Sequence, residues 1–565
     1  MFLAASLIFS VFAFGCGKQE DQNKKEMNDM EQQFTDFVAD FESQAKPLHR
    51  KASLAYFNAS IENKDELWNE YAENDKKFNT LLSNKDYFNK LKSIKESGEI
   101  KDTLMKRHLD VLYNAFLGKQ IDTAKLNRLT DMQTAIEGKY AKFRTEVDGK
   151  KLSDNEVEEV LKTSNNSEEL KRVWLAHKDI GPLVADDIRE MVKLRNEMAR
   201  ELGFDNYHTM ALRLSEQDPE EIDRVFNELD ELTRDSYKEI KNEIDEAIAK
   251  KLGISKDQLQ PWHYQNRFFQ EAPSIYEVNL DTYYDEHDIV ELTKTYFASL
   301  NMPIDTMVAK SDLYEKEGKN QHAYCINIDR DAKDIRVLCN VKPNARWMET
   351  MLHEYGHALY EYYYREDLPW ALKEPAHIFT TEAIAMLFGR FASNPQWIKE
   401  MLEISDEEHQ KISEVAPKVL RMQQLVFSRW SQVMYRFEKQ MYANPDQDLN
   451  KLWWDLVEQY QMIRKPEGRD MPDWATKIHI ATVPCYYHNY LLGELLASQL
   501  YYKIAGDVLN ENEEQNLSFK GRKEAGDYLI DNVFAPGKKY TWNEMIKKAT
   551  GEELTPKYYA KQFVK

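Results

Sequence analysis

Glycine and proline are scarce in this chain, at 19 and 17 of 565 residues. Neither gathers into a Gly/Ser/Pro-rich linker, so no composition shift marks a boundary between domains. A long chain so lightly punctuated is expected to be mainly α, a single large helical domain in one continuous body. Any dense run of Lys or Arg is also missing, and the balance of 76 basic against 97 acidic residues gives a formal net charge of −21. Such a chain has no stripe that could follow a phosphate backbone, which argues against nucleic acid as a partner. Cysteine is rarer still, with 4 residues: Cys16, Cys325, Cys339 and Cys485.

The start of the chain, MFLAASLIFSVFAFGCGKQEDQNKK, turns abruptly from apolar to polar. Residues 1–15 are too few to cross a bilayer but suit the core of a signal peptide, although no Lys or Arg precedes them. FAFGC resembles a bacterial lipobox, with Ala13 and Gly15 before Cys16. Cleavage there leaves Cys16 as a lipidated first residue, 16–30 as a polar tether and 31–565 as the helical domain. The protein is then expected to be exported and anchored to a membrane through Cys16, on the periplasmic or cell-surface side. An ordinary cleaved signal with a chance cysteine is the alternative.

Helix signals dominate the rest of the chain. DPEEIDRVFNELDEL offers Asp218 as cap and Pro219 at the first helical position, then Ile222, Val225, Phe226, Leu229 and Leu232 on one face. SDNEVEEVL from Ser153 and NSEELKRVW from Asn166 carry the same kind of cap. The convincing β signal is AYCINIDRDAKDIRVLCNV, residues 323–341, two short strands about a polar turn. It brings Cys325 near Cys339, either as a disulfide or as two buried thiols.

Just downstream stands TMLHEYGHALYEYYY. With 13 His and 97 acidic residues, a His-acidic-x-x-His pattern should arise by chance only roughly 0.05 times in such a chain. Met348, Met351, Leu352, Tyr355 and Leu359 recur at helical spacing, which puts His353 and His357 one turn apart on the neighbouring face, able to share one Zn²⁺. Glu354 beside them is suited to act as general base on a water at the metal, then to pass the proton to a leaving amine. Gly356 removes a side chain inside the motif, which suggests a close backbone approach. A catalytic zinc usually takes a third protein ligand, and LKEPAHIFTTEAIAMLFGR offers Glu374, His377 and Glu382. Glu382 ranks first, since it opens a helix-like run 25 residues after His357, room for one helix to end and a second to cross it.

These residues resemble the angiotensin-converting-enzyme (peptidyl-dipeptidase A) family of zinc metallopeptidases in its bacterial form, with kinship to the thimet oligopeptidases. HExxH followed by the Glu382 spacing carries the resemblance, and WLAHKDIGPLV with LRNEMARELGFDNYHTMAL looks like the family's scaffold segment. The resemblance implies a helical body with a deep central cleft and a small β element beside the zinc helix. It implies one Zn²⁺ per chain, held by His353, His357 and Glu382, and oligopeptide substrates.

In RFFQEAPSIY, Gln270 falls where the family holds a substrate's terminal carboxylate. In KIHIATVPCYYHNYLLGELLASQ, Lys477 matches the lysine for that carboxylate and His479 the histidine for a substrate carbonyl. Tyr487 and Tyr490 keep the spacing of the family's two tyrosines, the first for the carboxylate and the second for the oxyanion. The loop from His479 is one residue longer than the family's, so Tyr486 competes with Tyr487. Asn489 stands where the animal enzymes carry an arginine used for chloride activation, and Met386 where they carry an aspartate that orients a zinc histidine. The expected activity is release of C-terminal dipeptides from short peptides. Internal cleavage and a peptide-binding lipoprotein without catalysis are the rivals.

Overall fold

The structure of the chain is a computed structural model, which describes residues 27–564 except 277 and 513–516. The expected signal peptide, Cys16 and most of the tether lie outside the described residues. Helix α1 spans Asp29–Glu62, capped by Asn28 and Glu31 acting reciprocally, so the last residues assigned to the tether are already helical. With the helices Asp65–Leu82, Lys85–Ser97 and Thr103–Leu117 it forms an N-terminal layer. That layer has its own small core of Phe34, Phe37, Phe41, Leu91, Leu112 and Phe116, closed against Trp370 and Ala371 of the main body. Beyond Phe116, one continuous core runs from Ile136 to Phe563. Among the described residues no helix is long and apolar enough to cross a membrane.

The cap signals hold. Asp218 accepts the Glu220 N–H at 2.9 Å and starts α2, Pro219–Leu252, while Ser153 and Glu156 form a reciprocal box on the helix Asp154–Thr163. The buried face of α2 is Ile222, Val225, Phe226 and Leu229, but Leu232 is 39 % exposed and Thr233 is buried in its stead. At 3.6 residues per turn, the position four after Leu229 stays on the stripe and the position three after it has drifted off.

The expected hairpin is present as β1, Tyr324–Asp329, antiparallel to β2, Asp334–Leu338, with Cys325 opposite Val337. Of the alternatives for its cysteines the structure has separate thiols: Cys325 is half-buried, Cys339 is buried and both are free. Among the described residues β1 pairs with β2 alone, and one face of the hairpin rests on the end of α1 through Phe57, Ile328 and Leu338. A second small hairpin, Thr145–Val147 with Lys150–Leu152, was not expected from the sequence. Its signal was the pair Asp148–Gly149, both at positive φ, the two-residue turn that suits right-twisted strands.

After the hairpin, Asn344 caps α3, Ala345–Tyr362, by accepting the Trp347 N–H at 2.9 Å. α4, Ile378–Gly389, crosses it, and α5, Asp406–Ala443, and α6, His488–Lys503, pack behind. The crossing is close at Gly356: a Cβ there would lie 3.0 Å from Ala385 Cα and 3.2 Å from its nitrogen. The missing side chain is therefore what lets the two helices meet.

Candidate active site

Met348, Met351, Leu352, Tyr355 and Leu359 are fully buried, as the helical spacing predicts. The stripe that α3 leaves open runs Glu349, His353, His357, Glu361, each four residues from the next and so on one face. Solvent reaches all four, yet burial pushes the Glu349 and Glu361 carboxyls up to about 7 and the His353 imidazole down to about 4. Groups that solvent reaches while protein surrounds them line a cleft.

Glu382 enters that cleft from α4. Its Oε2 lies 3.8 Å from His353 Nε2 and 3.9 Å from His357 Nε2. Among the described residues this is the one His/Cys/Asp/Glu group whose donor atoms, one from each of three residues, all fall within 4.8 Å of one another. Tetrahedral donors each about 2.0–2.2 Å from one ion lie about 3.3–3.6 Å apart, so both imidazoles and Glu382 need to close in by only a few tenths of an ångström to share a metal. Burial keeps both imidazoles neutral, the form that ligates. Where the family pattern has an aspartate, Met386 offers no donor. Thr381, the residue before Glu382, takes over: its hydroxyl meets His357 Nδ1 at 2.7 Å, which leaves Nε2 for the metal.

The other two ligand candidates are otherwise engaged. Glu374 bridges Arg330 and Lys538 at 2.5 Å each, and against its burial these cations hold the carboxyl well below the usual range. His377 caps α4, its Nδ1 accepting the Phe379 N–H at 3.2 Å. Glu354 is 8 % exposed, and burial followed by the charge of Glu382 pushes its carboxyl up to about 8, opposed by a hydrogen bond from the Cys325 backbone. The hairpin thus meets α3 at the residue expected to act as base.

The residues expected to grip a carboxylate also come together. Lys477 Nζ donates to Gln270 Oε1 at 2.5 Å and sits over the rings of Phe268, Trp430 and Tyr487 at 5.2, 5.4 and 5.3 Å. Burial lowers this ammonium to about 7, with Arg267 adding to the effect. Tyr487 also packs against His479 and Tyr490, with ring centroids 5.4 Å apart in both cases. Tyr486 touches Tyr490 as well, at 5.2 Å, and burial followed by the charge of Glu382 raises its phenol. Of the two, Tyr487 is the one whose ring lies under the lysine. In that loop Cys485 is held at φ 57° with its N–H on the buried Glu438 at 2.8 Å. Asn489 is buried and accepts from Gln217 at 2.9 Å.

The angiotensin-converting-enzyme family profile matches residues 28–558 of this chain. The chain belongs to that family of metallopeptidases. It is 21 % identical over 431 residues to the angiotensin-converting enzyme of Theromyzon tessulatum, covering 71 % of this chain and 69 % of that one. Against the angiotensin-converting enzyme of Haematobia irritans exigua it is 22 % identical over 487 residues, 77 % of each. Oligopeptidase A of Salmonella typhimurium matches at 24 % over 438 residues, 65 % of this chain and 60 % of that protein. The family match takes in the N-terminal layer as well as the body, so the layer belongs to the peptidase architecture.

Proposed function

We propose that this metallopeptidase is zinc-dependent, one ion per chain, and releases C-terminal dipeptides from short peptides. Two neutral imidazoles and a carboxylate within mutual reach are the donor number and types that a catalytic zinc takes. Bound by His353, His357 and Glu382, zinc would supply Lewis-acid polarisation of the scissile carbonyl and a lowered pKa for the attacking water. Glu354 takes the proton from that water and returns it to the leaving amine. Tyr490 and His479 donate to the oxygen as it gains charge, and neither needs to ionise to do so. Lys477, Gln270 and Tyr487 hold the terminal carboxylate. With Gln270 Oε1 occupied by the lysine, its amide N–H groups remain as donors.

The observation that carries the dipeptidase reading is the run of contacts from Lys477 through Tyr487 to Tyr490, whose phenol is raised by burial and then by Glu382. It ties a cationic carboxylate grip to the ligand set. One decapeptide assayed as free acid and as C-terminal amide tests it. Turnover of the free acid alone, with dipeptide products by mass spectrometry and loss of all products on chelation, is the expected result. Equal turnover of the amide would replace this reading by internal cleavage, which the resemblance to oligopeptidase A favours.

The apolar run ending at Cys16 supports a further reading, that the enzyme is exported and carries a lipid anchor on that residue. Labelled fatty acid should enter the wild type and not Cys16→Ser; a label that survives the substitution removes the anchor.

A further inference from the structure

The N-terminal layer carries a charge that the hydrolytic chemistry does not use. In a chain of net charge −21, residues 85–119 reverse the balance, with seven lysines and one arginine against five acids. The helix Lys85–Ser97 turns Leu91 and Ile94 inward and leaves Lys85, Lys90, Lys92 and Lys95 exposed. It runs antiparallel to the helix Thr103–Leu117, since Phe88 meets Tyr113 with ring centroids 5.6 Å apart and, towards the other end, Lys95 pairs with Asp110. That pairing orders the lysines. Lys85 and Lys92, seven residues apart, share a stripe. Lys119 stands near Lys85, because the next residue, Gln120, donates to the Leu82 carbonyl at 3.2 Å. Lys106, one turn before Asp110, falls at the opposite end with Lys101. The row Lys119, Lys85, Lys92, Lys106, Lys101 is thus assembled by packing, stands nowhere as a run in the sequence, and follows the helix Lys85–Ser97 for its whole length, about 20 Å. Among the described residues Lys85, Lys90, Lys106 and Lys119 pair with no carboxylate, and Lys92 has Glu96 only at 3.8 Å. Asp110 is taken by Lys95, and Asp102 caps its helix on the Met105 N–H at 2.8 Å, which leaves Asp86, Glu96 and Glu99 to oppose the row.

Ammonium groups spread along an outward face are complementary to a surface that presents many phosphates at once. The place where the chain enters the layer selects that surface. Asn28 donates to the Glu99 carbonyl at 2.9 Å, and the Lys101 N–H donates to Glu31 at 3.0 Å, so the entry is at the Lys101 end of the row. Residues 16–26 separate it from Cys16, and eleven residues reach at most about 40 Å. A lipid on Cys16 therefore keeps this face within reach of the bilayer that holds it. Resting on the anchored reading, we propose that the outward face of the helices Lys85–Ser97 and Thr103–Leu117 docks on the anionic phospholipid of that membrane. Docking turns the N-terminal layer towards the bilayer and the rest of the body away from it.

Acetylation of lysines, read by mass spectrometry, tests the face on the wild-type protein, whatever the folding of any variant. The full-length protein is placed on vesicles of phosphatidylcholine alone or with phosphatidylglycerol added. On the anionic vesicles Lys85, Lys92, Lys106 and Lys119 should react several-fold more slowly than on the neutral ones, and high salt should erase the difference. Lys250 is the internal control. It ends α2, about 50 Å from Pro219, which closely follows the Glu216 that pairs with Arg107 of the layer, and its rate should be the same on both vesicles. Replacing Lys85, Lys92 and Lys106 by Gln in the Cys16→Ser protein should weaken its partitioning onto anionic vesicles about fivefold per lysine, with kcat for a soluble peptide unchanged. Equal rates for the four lysines on both vesicles overturn the docking face, as does equal slowing of Lys250 or a partitioning that the three substitutions leave unchanged. Protection by a DNA duplex and by neither vesicle would hand the row to nucleic acid and overturn it too. The anchor fails separately. Labelled fatty acid on Cys16 beside an unprotected row keeps the anchor and removes the face, whereas protection of the row in protein that takes up no fatty acid keeps the face and removes the anchor.

Discussion

Glu354 stands next to the donor group and is not part of it, so replacing it separates proton transfer from metal binding. Glu354→Gln should lower kcat by roughly 10² to 10⁴ with the metal content unchanged. A full complement of metal and unaltered turnover would take the base role away from it. Thr381 is a different kind of residue, since it touches His357 and not the reacting atoms. Thr381→Val should weaken metal affinity about 10- to 100-fold, measured against a competing chelator. The histidine pair was legible because helical spacing puts both rings on one face, and Glu382 because it opens a second helix-like run far enough downstream to cross the first. Thr381 was not, because a hydroxyl is common in any sequence and acquires this role only where α4 crosses α3. Lys477 carries a pH signature. Its folded value of about 7 means that its charge is present below that pH and lost above it, with Arg267, Glu271 and Glu158 the charged groups acting on it. KM for a free-acid peptide should therefore climb above pH 7, by up to about tenfold per unit, while KM for the amide stays level. Parallel curves for the two would deny the lysine its carboxylate.

At the scale of elements, the crossing of α3 and α4 is the construction on which the site depends, and a single hydrogen at Gly356 sets its distance. Gly356→Ala pushes a methyl against the backbone of Ala385, three residues from Glu382 on the same helix. A loss of about 1–3 kcal/mol in denaturant unfolding is expected, with weaker metal binding alongside as α4 shifts. Unchanged unfolding would mean that the helices have slack there. The glycine's role was readable because helix interiors disfavour the residue; the identity of what approached was not, being a matter of tertiary packing. The same limit explains Leu232, where counting by three in place of four put an exposed side chain on the buried face.

For the molecule as a whole, the scarcity of glycine and proline correctly foretold one large helical body. It did not foretell that residues 34–116 keep a core of their own, because no linker separates them from the rest and the division lies in which aromatics touch. The ligand helices are buried in a core running from Ile136 to Phe563, far larger than a metal site, so the metal is not needed to hold the fold. Chelation should abolish peptide hydrolysis and leave the helical circular dichroism signal intact. Collapse of that signal would make the ion a structural one.

The N-terminal layer meets the body around Trp370 and Ala371, and a largely apolar cavity of about 430 Å³ remains in the seam between Phe41, Phe78 and Leu112 on one side and Glu374 and Ile378 on the other. A layer with a separate core and an incompletely filled seam should behave as a cooperative unit of its own in hydrogen exchange. Amides of the helices Lys85–Ser97 and Thr103–Leu117 should exchange through a partial opening well below the global unfolding free energy, and those of α4 and α6 only on global unfolding. Since α1 leaves this layer to lie on the hairpin beside Glu354, the traffic of peptides would then be governed by how often a subdomain comes loose, a thermodynamic latch in place of a fixed aperture.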